Sequence, residues 1–267
     1  MIVRRLLAAV LAATTMAAAP DQGPVGRYRV VRVLIDPATD NSQRTLYRDD
    51  PRLVERLAIL TATSLTIDRA GHACRGRRTV QRTTVAAALA RLPRRPGSGR
   101  RPSPSPAELG LNAIPRQPVM LTTYRCDVPG PDGTISSLNR SAVFPIESRR
   151  LAMIFGGEVV LILAPVVASS RAAAPSFACD KARSPTEKTI CADPDLAAWD
   201  RSVANAVAKL IAGDSDYPAV DDIGAFREQQ RGWLIERDTC RTNRSCLADS
   251  MAERLEDLLA PERRIGR

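Results

Sequence analysis

Six cysteines are the side chains of this 267-residue chain best suited to react with one another. Four lie in the last third. Phe177, Cys179 and Cys191 form an F-x-C-x(11)-C run, and residues 230–247 read Q-x-x-W-L-x-x-R-D-x-C-x(5)-C-L, carrying Cys240 and Cys246. Cys74 and Cys126 lie earlier. An even set of thiols outside the reducing cytosol pairs into disulfides. Zinc ligation suits them poorly, because there is no C-x-x-C pair and His72 is the single histidine. Four cysteines in one domain allow three pairings. Sequence order favours Cys179–Cys191 and Cys240–Cys246, and Cys74 with Cys126 would tie together two parts of the N-terminal half. Each bridge is worth about 2–4 kcal/mol, mainly by restricting the unfolded chain.

No other constellation reads as catalytic. There is no nucleophile–base pair, metal set or glycine-rich phosphate loop, so neither an enzyme nor a cofactor is expected. Asp49 and Asp50 stand before Pro51, where carboxylates cap turns and helices more readily than they share acid–base work.

These cysteines need an oxidising compartment, and the N-terminus fits one. Arg4 and Arg5 precede an apolar stretch over 6–16, and Ala17, Ala18 and Ala19 offer small residues for cleavage, so residues 1–19 read as a signal peptide. A periplasmic or secreted protein is expected, with no transmembrane segment after cleavage. The apolar stretch 151–168 is broken by Gly156, Gly157, Glu158 and Pro165, and reads as two buried strands rather than a span.

Charge divides the chain. Residues 20–174 hold 23 arginines, no lysine and 12 acids, a net of +11, whereas residues 175–267 net −3. Such a shift marks two domains. Aromatics are sparse in the basic half and no recognition motif is present, so no nucleic-acid partner is expected. Anionic envelope polymers or lipid headgroups suit that charge better.

The elements that must position these residues form an α+β two-domain chain. Residues 24–168 read as a β-rich barrel or sandwich, with strand-like runs at 28–35, 57–67, 119–126, 141–145, 151–155 and 159–167 and a short helix over 84–92. Residues 93–106, PRRPGSGRRPSPSP, read as a mobile loop that adds nothing to a core. After a linker at 169–175, residues 176–260 read as a small disulfide-stapled helical bundle. Ser184-Pro185-Thr186-Glu187 is a capping box, Asp193-Pro194 starts a second helix that Gly213 stops, a third begins near Asp222 and a fourth near Ser245. Trp199, Phe226, Trp233 and Leu234 are the expected core, on the spacing of apolar residues.

The set Phe177, Cys179, Glu187, Ile190, Cys191, Leu196, Asp200, Gln230, Trp233, Leu234, Arg237, Asp238, Cys240, Cys246 and Leu247 resembles the LprI-type lysozyme-inhibitor domain family, over about 85 of the 267 residues. The resemblance implies a helical, disulfide-bonded module of bacterial envelope proteins and, for some members, inhibition of lysozyme. Three positions depart from the family pattern. Trp199 stands where leucine is usual, and Val207 and Met251 stand where tyrosine is frequent. All remain apolar. On this reading the chain is a non-enzymatic binding protein for lysozyme or a cell-wall-associated protein. Asp214, Asp216, Asp221 and Asp222 are then the candidate acidic surface for a basic partner. The alternative is an envelope adaptor whose basic N-terminal domain contacts anionic polymers.

Overall fold

The computed structural model describes residues 23–37, 46–68, 72–92, 103–126, 138–139, 141–147, 149–157, 159–166 and 174–260. The expected leader 1–19, residues 93–102 of the Pro/Arg stretch and 169–173 of the linker lie outside these.

Alternating and continuous apolar runs in the first half become eight strands. They are β1 (Gly26–Ile35), β2 (Leu57–Leu60), β3 (Ser64–Ile67), β4 (His72–Thr84), β5 (Pro118–Cys126), β6 (Ala142–Pro145), β7 (Leu151–Phe155) and β8 (Val159–Pro165). Each pairs antiparallel with the next, and β8 pairs with β1, so the sheet closes into a barrel. Closure leaves no strand edge unpaired, and eight strands enclose a space that side chains alone can fill. Val30, Val33, Leu60, Leu65, Ile67, Tyr124, Val143, Met153 and Leu161 fill it. A register shift between Val30 and Arg32 keeps both Val30 and Val33 buried in that core. Cys74 and Cys126 are bonded, joining β4 to β5.

β7 and β8 read LAMIF and VVLIL without alternation because both of their faces are covered. Ala152, Ile154, Val160 and Ile162 pack outside the barrel against α1 (Val85–Leu89), Leu109 and Leu111. This corrects the expectation for the end of the 93–106 loop. Pro106 is buried, and Ser105 and Glu108 exchange hydrogen bonds that set Leu109 down on the sheet.

The second half is helical because its caps are local and complete. Ser184 accepts from Glu187 N while the Glu187 carboxylate accepts from Ser184 N, opening α2 (Pro185–Ala192). Asp193 caps α3 (Pro194–Ala212), which ends at Gly213 in the left-handed conformation, φ 67°. Asp222 caps α4 (Ile223–Asp238) and Asn243 caps α5 (Arg244–Leu259). The Cys179–Cys191 bridge ties a short 3-10 turn to α2, and Cys240–Cys246 spans the α4–α5 turn. Trp199 and Phe226 are buried among Ile190, Leu247, Met251 and Leu255, and half-buried Trp233 packs on their edge. Leu234 departs from expectation. It is 37% exposed, because α4 turns Phe226, Gln230, Trp233 and Arg237 inward and no described residue covers the side that carries Leu234. No helix among the described residues is long and apolar enough to cross a membrane.

Candidate functional site

The residues that carried the family resemblance converge on a buried ion pair. Asp200 of α3 meets Arg237 of α4 at 3.3 Å, with both side chains only 7% exposed. The same carboxylate accepts from Ser176 N at 2.7 Å and Ser176 Oγ at 2.6 Å, so the segment before Cys179 is pinned onto α3. Arg237 also donates to Asp238, and its guanidinium stands 5.5 Å from the Trp233 ring centroid. A buried pair persists when its remaining donors and acceptors are satisfied, and here two serine donors and a second carboxylate do so. These bonds tie α3, α4 and the segment before Cys179 together within the helical half.

A second cluster joins the two halves, and the sequence gives little sign of it. The β1–β2 segment lies on α3 and α5. Arg56, 2% exposed, donates through Nη2 to Ala198 O at 3.0 Å and Ser202 Oγ at 2.7 Å, with its guanidinium 3.5 Å from the Trp199 ring centroid. Burial pushes this guanidinium down to about 9, so it remains a cation at neutral pH. Tyr47 donates to Leu259 O at 3.1 Å and stacks on Tyr217, centroids 4.9 Å apart. Arg29–Asp195, Arg52–Glu256 and Arg201–Glu55 flank the seam. Asp49 and Asp50 serve this segment as turn formers. Asp50 accepts from Tyr47 N and Arg52 N, and Asp49 accepts from Val33 N.

Residues 179–258 match the family described as Lysozyme inhibitor LprI. No curated protein and no solved structure matches the chain. The LprI-like region thus takes in both helical disulfides and the Asp200–Arg237 pair, and leaves out the barrel.

Within the LprI-like region the four acidic candidates fall in the α3–α4 connection, but they do not form one cluster of equivalent groups. Asp222 is committed to the α4 N-terminus, where it accepts from Ala225 N at 3.0 Å. Asp214 accepts from Asp216 N, and Asp221 is exposed. The loop's root is Tyr217, which acid counting overlooks. Its hydroxyl donates to Arg48 O at 3.1 Å and accepts from Lys209 Nζ at 2.8 Å. Burial first, then Asp50, Asp214, Asp49 and Asp216, drive its phenol well above the usual range, so it stays protonated. The loop is therefore rooted on both halves while its carboxylates sit near the surface.

The α4 helix runs on from this loop with an uncovered side. Ile223, Leu234 and Ile235 are exposed there, Ile235 by 73%, beside Arg227 and Arg231. A Cβ built on Gly232 would meet no atom within 4 Å, so packing inside the chain does not require glycine at that position. Elsewhere a groove of about 430 Å³ opens beside α2, lined by Lys188, Thr189, Asp193, Thr242 and Arg244 among others. Its carboxylate is already used, since Asp193 caps α3 and pairs with Arg244. Among the described residues no group of three or more His, Cys, Asp or Glu could hold a metal ion. The side chain of His72 lies outside the described residues.

Proposed function

We propose that this chain is an exported, non-enzymatic binding protein that engages lysozyme through the α3–α4 loop and the adjoining face of α4. The match of residues 179–258 to the lysozyme-inhibitor family carries this reading. Three disulfides fit an oxidising compartment, and the leader-like residues 1–19 support export to the periplasm or beyond. An acidic loop rooted by a buried tyrosine suits a basic enzyme, because it supplies attraction without a large ordering penalty on binding. Exposed isoleucines and a bare helix backbone at Gly232 supply the apolar contact beside it.

A lysozyme turbidity assay on bacterial cell walls tests the reading with the full-length protein. Micromolar excess is expected to slow lysis. Replacing Asp214, Asp216, Asp221 and Asp222 together with asparagine should weaken inhibition by about tenfold or more through lost charge attraction. Asparagine preserves the α4 cap, so the fold should survive. Gly232→Ala should stabilise the helix by about 0.5–1 kcal/mol and yet weaken inhibition, a combination that only an intermolecular contact explains. Unslowed lysis at micromolar excess removes the proposal.

A further inference from the structure

The longest strand of the barrel has a face that the lysozyme reading does not use. β4 turns Arg75, Arg77, Thr79 and Gln81 outward, and all four are exposed. The register places Arg77 directly opposite Arg125 of β5, and Ser64 of β3 opposite Arg75. Directly opposed residues sit with Cβ atoms about 5 Å apart, where like charges repel. Arg75 and Arg77 follow at a strand spacing of about 6.7 Å. Arg91 adds a fourth guanidinium beside them by donating to Thr123 Oγ1 at 3.0 Å. Among the described residues no carboxylate pairs with Arg75, Arg77 or Arg125. Other arginines of this half do find a carboxylate, as in Arg32–Asp49 and Arg52–Asp50. None of the described residues relieves the repulsion on this face, and an anionic ligand would.

We propose that the outer face of β3, β4 and β5, centred on Arg75, Arg77 and Arg125, binds an acidic polysaccharide. Guanidinium forks match the paired oxygens of carboxylates and phosphates, and Thr79, Thr123, Gln81 and Thr66 offer hydroxyl and amide partners for the sugars between the acid groups. The face carries no aromatic platform, which a single-stranded nucleic acid would need for stacking. Among the described residues none of the exposed large apolar side chains lies on it, which speaks against insertion into a lipid surface. β5 is four strands round the closed barrel from β1, and β1 and the segment after it carry the seam to the helices. The basic face therefore points away from the acidic loop, and a polymer could occupy it without meeting that loop.

The test measures retention of the full-length protein on immobilised hyaluronate, which bears carboxylates, and on a phosphodiester-linked mannan, with neutral dextran as the blank. Retention on either acidic polymer that weakens as salt rises is expected. Arg75→Gln, Arg77→Gln and Arg125→Gln together should reduce affinity by about tenfold or more, as three exposed charge contacts are lost. A control replacing exposed Arg27, Arg116 and Arg150 removes the same charge elsewhere and should change affinity by less than about threefold. Equal losses in both triple variants would overturn the proposal, because net charge alone would then explain binding. Retention on neither acidic polymer would also overturn it. Binding to phosphatidylglycerol vesicles without polymer binding would reassign the face to a lipid surface. A melting curve matching the parent shows that each triple variant is folded.

Discussion

Removing Asp200 should damage the helical region more than any single exposed change. Asp200→Ala leaves the Arg237 guanidinium buried beside a gap and strips Ser176 N and Oγ of their acceptor. Breaking a buried pair from one side typically costs about 3–5 kcal/mol. Arg237 keeps Asp238, at 2.8 Å, which places the expected loss toward the lower end of that range. Arg237→Met leaves Asp200 with two serine donors, so its cost should be smaller, about 2–3 kcal/mol. The double variant carries neither charge, and its loss should fall short of the sum of the single losses by about 1–3 kcal/mol. Urea unfolding followed by tryptophan emission measures all four corners of this cycle. Both tryptophans, Trp199 and Trp233, lie in the helical region, so the signal reports on that region. Losses that simply add, within about 0.5 kcal/mol, would falsify the claim that this pair is an energetic unit.

The disulfides should rank by the length of chain they close. Replacing Cys74 and Cys126 with serine, a separation of 52 residues, should cost about 4 kcal/mol, against about 2.4 kcal/mol for Cys240 and Cys246 at 6 residues, both read from denaturant midpoints. Arg56→Ala should cost about 3 kcal/mol by leaving a cavity over Trp199, whereas Arg56→Met should cost less than about 1 kcal/mol. Ala198 O keeps its bond from Ser202 Oγ in either case, and the donor bonds to Ser202 Oγ and Val54 O are lost in both, so the two variants differ by the cavity; equal losses in the two variants would refute that account. The backbone donors of Ser184 and Arg183 hold the Glu187 carboxyl below its usual value of 4.5. Its folded pKa is thus depressed, and the stability it contributes is present above pH 4.5 and fades as pH falls through the folded value. Melting temperatures of the parent and Glu187→Gln from pH 6 to pH 3 should converge at the acid end.

Helix ends were the most legible part of the fold, because caps are decided by neighbours in sequence. Ser184 with Glu187, Asp193 with Pro194, and Gly213 each mark a boundary that the structure shows. The last helix begins slightly earlier than Ser245, with Asn243 as its cap. β4 was not legible. Its outward positions are Arg75, Arg77, Thr79 and Gln81, and inward Gly76 and Arg78 break the apolar alternation that announces a strand. Whether the sheet closes depends on strand tilt and register, which are non-local. Leu234 misled because helical spacing identifies a stripe but not whether anything covers it. The seam was invisible for a related reason. Arg56 and Ser202 are 146 residues apart, and Tyr47 and Leu259 are 212 apart. The only hints are an arginine set in the apolar stretch LVERLAIL and a tyrosine at the centre of an otherwise acidic loop.

That seam decides where the polypeptide can safely be divided. Excising the helices at the family limits would uncover Trp199 and Tyr217, which owe part of their shelter to Arg56 and Tyr47, and would cut α5 just before Leu259, whose carbonyl accepts from Tyr47. The shortened piece would present a greasy scar and tend to self-associate. Apparent stickiness of such a fragment toward other proteins would then reflect the surgery rather than recognition.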